Sequence, residues 1–356
     1  MHTPVGLRAA QMICLAALCA APAAAQTRPT QADAQPAQRK PPTLPKADPD
    51  AAVLVAEAAQ SAALEALGAT PFRLRAHMLA RDFAHPPTEG TFELIWASPE
   101  EWREELTLPD FHQVRVFRKD TLWTKRNLPY LPLPAYRMIQ IMRNRAPFDA
   151  YLNQLPLSPI EYRKTRGGVE RCVGLQVGTP SDWERCYAAG TPDLLRFRAN
   201  DSAVGLDLTD YGQFGVERVP RKIVMIERGV PIIEAQVKEL REWKADDLAL
   251  AAALSPPENA TRRRWCANPT PTTRGGLVAF RLEPRTERAT NLRPVVIYGV
   301  IGTDGGWREF RVLESSDAPE AQRIIEGLRN VRWTPSTCNG SAVETEHTFS
   351  LPLYLP

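Results

Sequence analysis

From residue 71 onward, apolar and polar positions alternate with a period of two, the signature of strands with one buried face. Phe72-Arg-Leu-Arg-Ala-His-Met-Leu79 and Gly90-Thr-Phe-Glu-Leu-Ile-Trp96 both read this way, and Trp102-Arg-Glu-Glu-Leu-Thr-Leu108 returns after a turn at 98–101. Val114–Phe117 and Thr121–Thr124 flank a Lys119-Asp120 turn, and further strands are predicted at about 160–165, 170–177, 183–187, 194–198, 203–209, 221–227 and 231–240. Two stretches carry the helical period instead. Asp48-Pro49-Asp50 opens one that runs to about Leu67, closed by Gly68, and the proline-punctuated 128–134 leads into a second at Ala135–Arg145. Near the C-terminus, Pro294–Gly302 and Trp307–Ser315 read as strands around Thr303-Asp-Gly-Gly306. Asp317 and Glu320 form a capping box ahead of Ala321, Ile324, Ile325 and Leu328 on one helical face. Val331–Pro335, an Asn339-Gly340 turn and a last strand from Val343 to Leu355 complete the pattern.

The N-terminus changes the picture from a plain β-rich chain to an exported one. A single early arginine, Arg8, precedes an apolar run at 9–21 and then Ala23-Ala24-Ala25, so residues 1–25 read as a signal peptide cleaved before Gln26. The run is shorter than the roughly 20 residues a permanent span needs. Cys19 follows the bulky Leu18, where a lipobox carries a small residue. Residues 26–50 are polar and proline-rich, a disordered linker by composition. Cys172, Cys186, Cys266 and Cys338 remain, an even count for an oxidising compartment, with three possible pairings. Cys172 with Cys186 is favoured, because the strands around Gly178-Thr-Pro-Ser181 bring them together; Cys266 then joins Cys338 by elimination. The net charge of +3 over 356 residues gives no case for nucleic acid.

The C-terminal pieces Gly299-Val-Ile-Gly-Thr-Asp-Gly305, Leu328-Arg-Asn-Val-Arg-Trp-Thr-Pro335, Asn339–Val343 and Phe349-Ser-Leu-Pro-Leu-Tyr354 together resemble the C-terminal domain of the TonB family. The resemblance implies a protein partner bound by strand addition at the sheet edge formed by the last strand. Upstream, the order of elements, with Gly90–Arg103, Tyr211-Gly-Gln-Phe214 and Val219-Pro-Arg-Lys-Ile223, resembles the lipoprotein carriers LolA and LolB. That resemblance implies an incomplete barrel around helices, with an apolar pocket for a lipid or lipoprotein. The expected fold is therefore α+β: a LolA/LolB-like antiparallel half-barrel with helices over 51–245, a linker over 246–269, and a TonB-like β-hairpin/helix/β domain over 270–356.

The chemistry-bearing residues give no motif for an enzyme. His77, His85, His112 and His347 lack nucleophiles or carboxylates at recognised spacing, no Cys-x-x-Cys or metal-ligand spacing occurs, and the paired glycines lack a phosphate-loop pattern. No cofactor is expected. Glu100, Glu101, Glu104 and Glu105 are a carboxylate cluster from which a glycosidase-like pair is conceivable, although a charged strand gives the same run. The Arg262-Arg-Arg264 run reads as a solvated linker. Trp96, Trp102, Tyr136 and Met138 are the candidate ligand-binding residues, because tryptophan and methionine adapt to a flexible apolar chain. The sequence reads as a periplasmic, non-enzymatic protein binding an apolar envelope ligand and a protein partner; the alternatives are a hydrolase using Glu100–Glu105 and a structural envelope protein.

Overall fold

In the computed structural model the alternating stretches join into one sheet of thirteen antiparallel strands. The structure describes residues 49–62, 64–65, 68–81, 86–143, 157–177, 179–199, 204–244, 252–267, 269–270, 272–274 and 294–351. The expected signal peptide, Cys19, most of the 26–50 linker and His85 lie outside them. Residues Leu44–Pro356 belong to one compact unit.

Sheet order follows from how the chain crosses itself. β1 (Phe72–Ala80), β2 (Thr88–Ser98), β3 (Glu101–Leu108), β4 (Phe111–Arg118) and β5 (Thr121–Arg126) run outward as consecutive hairpins. After α2 (Leu133–Arg143), the chain resumes at the far side with β6 (Glu161–Thr165) and returns inward. The return strands are β7 (Gly168–Val177), β8 (Thr179–Ala188), β9 (Leu194–Ala199), β10 (Val204–Phe214), β11 (Glu217–Glu227) and β12 (Val230–Glu242). β12 closes against β1 from Phe72↔Glu242 to Ala80↔Ile233. The path from β5 to β6 must cross the sheet, and this sets α2 on the sheet's face.

The period-two pattern translates directly into burial. Phe72, Leu74, Ala76, Met78 and Ala80 of β1 are buried, while Arg75 and His77 are exposed. Register keeps the apolar sides together, with Phe92 opposite Leu106 and Trp96 opposite Trp102. α1 (Pro49–Ser61) ends before the predicted Leu67, which lies outside the described residues; Leu64 N–H donates to the Ala62 carbonyl, and Ser61 Oγ donates to the Ala58 carbonyl. α1 packs Ala51, Leu54, Val55 and Ala58 on Val173 and Tyr187. α2 starts two residues before the predicted Ala135, since Pro134 is tolerated in a first turn whose N–H groups have no partner. Within the stretch expected as linker, β13 (Thr261–Arg264) extends the sheet beyond β5.

The C-terminal elements follow the predicted order. β15 (Val295–Ile301) lies between β16 (Trp307–Glu314) and β20 (Thr345–Leu351), and α3 (Ala318–Arg329) covers one side. All seven residues of β15 are buried, which explains why its sequence is continuously apolar. β14 (Thr273–Arg274) pairs with β17 (Trp333–Thr334), and β18 (Thr337–Cys338) pairs with β19 (Ser341–Ala342). Gly305 turns with φ +75°, and a Cβ there would collide with the Trp333 carbonyl, so the turn requires glycine. The strict alternation expected for 307–315 fails. Pairing slips between Tyr298 and Val300, Glu309 takes φ +58°, and Val312 is left 45 % exposed. One extra residue lies between Arg308, opposite Val300, and Arg311, opposite Tyr298, so Val312, opposite Ile297, shares the face of Trp307.

Candidate functional site

α2 is amphipathic, and its apolar side closes over the inner face of the sheet. Ala135, Met138, Ile139, Ile141 and Met142 are buried in the same core as β1–β4 and β9–β12. Gly90 on β2 makes room: a Cβ there would clash with Leu108 and meet Met138 Sδ at 3.6 Å. Cations hold the helix near both ends. Arg137 donates to Glu227 (2.9 Å) and Glu314 (3.3 Å), while Arg143 pairs with Glu65 (3.1 Å) and lies 4.5 Å over the Trp102 ring.

Of the residues singled out for ligand binding, Trp96, Trp102 and Met138 are 1 %, 7 % and 0 % exposed. Trp96 stacks on Phe72 at 5.6 Å, and Trp102 tilts against Phe117 at 5.8 Å. Tyr136 is half-buried, and burial pushes its phenol up. None of the four is among the residues lining the cleft beside the first turn of α2. That cleft, of about 280 Å³, is lined by Ala80, Tyr130, Leu133, Ile233, Val312 and Leu313, with Arg81, Arg137 and Glu314 among its polar residues.

A second, polar cleft of about 310 Å³ lies between β5, β13 and β20, lined by Lys125, Arg126, Arg263 and Glu346 among others. Glu346 is its centre. It accepts from Arg126 Nη2 (2.8 Å), Arg126 Nη1 (2.9 Å) and Arg263 Nη1 (3.1 Å). Burial alone would raise its carboxyl; the guanidiniums of Arg126, Arg263 and Arg115 overcome this and hold it below the usual range. Arg126 Nη2 also donates to the Tyr298 hydroxyl (3.1 Å). Burial, reinforced by Glu346 and opposed by Arg126, pushes Tyr298 up to about 12. Tyr130 meets Tyr298 at 6.5 Å, and Arg311 lies 5.6 Å over Tyr130. Sequence reasoning missed Arg126, Arg137, Glu314 and Glu346 and read the Arg262–Arg264 run as solvated; no local signal distinguished them from surface charge.

Both expected disulfides are present. Cys172–Cys186 joins residues directly opposite in β7 and β8, and Cys266–Cys338 ties the segment after β13 to β18. Among the described residues, Glu170, Cys172 and Cys186 come within metal-ligand distance of one another, but bonded sulfurs are not thiolates and cannot serve as such ligands. The acidic run does not assemble a carboxylate pair. Glu104 turns inward, with Arg115 Nε and Nη2 donating to it at 2.9 and 3.0 Å; Glu105 occupies the opposite side of β3. Burial would raise Glu105, but bonds from Arg103 and His112 outweigh it and lower it, the wrong direction for a general acid. His77 is exposed at 3.6 Å from Glu89, and His347 packs on Trp307 and Trp333. Among the described residues, no helix is long and apolar enough to cross a membrane.

No family model matches the chain, and no curated protein matches it. Solved structures similar to it include an outer membrane lipoprotein-sorting protein domain from Vibrio parahaemolyticus, 10% identical, covering 57% of this chain and 97% of its own, with a TM-score of 0.35. A LolA superfamily protein from Nitrosomonas europaea is 13% identical, covering 55% of this chain and 96% of its own, with a TM-score of 0.33. A chain of the Pseudomonas aeruginosa MucA/MucB complex is 10% identical, covering 85% and 94%, with a TM-score of 0.29. These findings do not show a TonB C-terminal domain.

Proposed function

We propose that this chain is a periplasmic, non-enzymatic binding protein that takes a long apolar ligand, such as the acyl chain of a lipid or lipoprotein, beneath α2. The observation that supports it most is the placing of one amphipathic helix as cover over an apolar sheet face, with an apolar-lined cleft beside its first turn. Met138 and Met142 sit at the centre of that cover, and methionine repacks readily around a flexible chain. In this reading the cleft is the mouth, and Trp96, Trp102 and Tyr136 line the space that opens when α2 lifts. Each methylene moved from water contributes about 0.8 kcal/mol, against the cost of ordering the chain and displacing the helix.

The C-terminal module has two roles in the proposal. Through Glu314 it holds Arg137 of α2, and along β20, which among the described residues pairs only with β15, it takes a protein partner by strand addition. Two disulfides suit the oxidising periplasm.

Titration of the delipidated full chain with a fluorescent fatty acid tests the apolar site. A saturable blue-shifted signal is expected, weakened at least tenfold by Met138→Glu. Because Met138 is buried, Val312→Glu at the exposed mouth provides the second variant, read alongside circular dichroism. No probe binding to the folded, delipidated chain would overturn the reading.

A further inference from the structure

At the end of the sheet opposite β13, β6 pairs only with β7 among the described residues, so its outer backbone edge is free there. All five of its residues are exposed. Such an edge is a template for another strand, and five residues span about 17 Å of ladder.

Its two faces differ in charge. On one, Glu161, Arg163 and Glu184 satisfy one another: Arg163 Nη2 donates to Glu161 at 2.8 Å, and Nη1 reaches Glu184 at 2.5 Å. The other carries Tyr162 and Lys164, with Arg171 opposite Tyr162 and Val169 opposite Lys164. Arg166 stands exposed in the turn. Tyr162 is 70 % exposed and Val169 40 %. Arg171 donates to the carbonyls of Ala188 (3.1 Å) and Thr191 (2.9 Å), and among the described residues it has no carboxylate partner on this face. The hairpin's own carboxylates, Glu161 and Glu170, lie on the opposite face.

We infer that β6 is a docking edge for an extended acidic peptide of another protein, which would add as a fourteenth strand with its acidic side chains toward Lys164, Arg166 and Arg171. Charge selects that occupant over a second copy of this chain. The Tyr162 face and its turn carry three cations, Lys164, Arg166 and Arg171, and none of the hairpin's carboxylates, so two copies edge to edge repel there. An acidic strand meets the opposite field, and Tyr162 with Val169 offers an apolar patch for its alternate side chains. The site is separate from α2 and from the C-terminal module, so it stands whether or not an apolar ligand is bound.

Fluorescence anisotropy on the full chain tests it with labelled eight-residue peptides alternating glutamate with valine, or lysine with valine. The acidic peptide should bind saturably and more weakly as salt rises. The double substitution Lys164→Glu with Arg166→Glu, at two exposed positions, should weaken it at least tenfold and confer binding of the lysine peptide. A backbone N-methylated acidic peptide should lose binding, since strand addition needs main-chain hydrogen bonds. Three outcomes would overturn the inference: no binding to the folded chain, equal binding by the N-methylated peptide, or an affinity indifferent to the double substitution. Phosphatidylglycerol vesicles run in parallel would overturn it too, if they bind through the same two residues while the peptide does not.

Discussion

Glu346 joins two strands electrostatically, because guanidiniums from β5 and β13 converge on it. Replacing it with glutamine keeps the size but leaves Arg126 and Arg263 without their carboxylate, and we expect a loss of about 2 kcal/mol in urea unfolding. The same group links stability to pH. Its folded pKa lies below its ordinary 4.5, so its contribution is complete above that value and is lost as pH falls through the folded value. His347 acts in a higher window. Burial lowers it from 6.5 and keeps it neutral in the fold, so the unfolded chain takes the proton first and stability begins to fall below that pH. Unfolding curves between pH 7.5 and 3 should therefore show two declining regions. His347→Asn should flatten the upper one, and Glu346→Gln the lower.

Elements carry their own tests. Asp317 caps α3 by accepting from Glu320 N–H at 3.0 Å, as the capping-box spacing predicts. Asp317→Ala should cost about 1 kcal/mol in chemical denaturation and leave the β1–β12 region unchanged. α2 is a different kind of helix, short at 11 residues and held by packing more than by its own ladder. If Arg137 latches it, Arg137→Gln should speed amide exchange in residues 133–143 while global unfolding shifts less. Equal protection in the variant and the parent would show that the apolar contacts alone hold the cover. The hairpin of β7 and β8 is the easiest element to recognise from sequence, since two cysteines that face each other across a short turn require that register.

At the scale of the whole chain, the two disulfides should have separable effects. Cys172–Cys186 has a sequence separation of 14, and in the chain-entropy model such a closure stabilises by about 3 kcal/mol. Cys266–Cys338 has a separation of 72, for which the same model gives about 4 kcal/mol. The paired change Cys266→Ser with Cys338→Ser should lower thermal stability and raise amide exchange in β13, β18 and β20 together. Exchange confined to β18 would show that the Glu346 cluster alone keeps these strands in place. Cys172→Ser with Cys186→Ser should loosen β6–β8 and spare α3.

Short-range information determined much of this protein. Period-two stretches became strands, the apolar residues of Phe72–Ala80 and Gly90–Trp96 reached the core, and Asp317 became a cap, because each depends on neighbours a few residues away. The cysteine pairs were legible through parity and one hairpin. At the candidate site the sequence indicated the helix α2 but not the cleft beside its first turn. That α2 covers the sheet follows from the crossing between β5 and β6, and no local pattern states which face a crossing helix lands on. The bulge at Glu309 moved Val312 onto the face of Trp307, since one extra residue inverts everything after it, although Val312 keeps 45 % of its surface exposed. The charged seam was invisible for a stronger reason. Arg126, Arg263 and Glu346 are separated by scores of residues, and any arginine or glutamate reads as surface until tertiary structure sets its partner within 3 Å or so and removes the water between them.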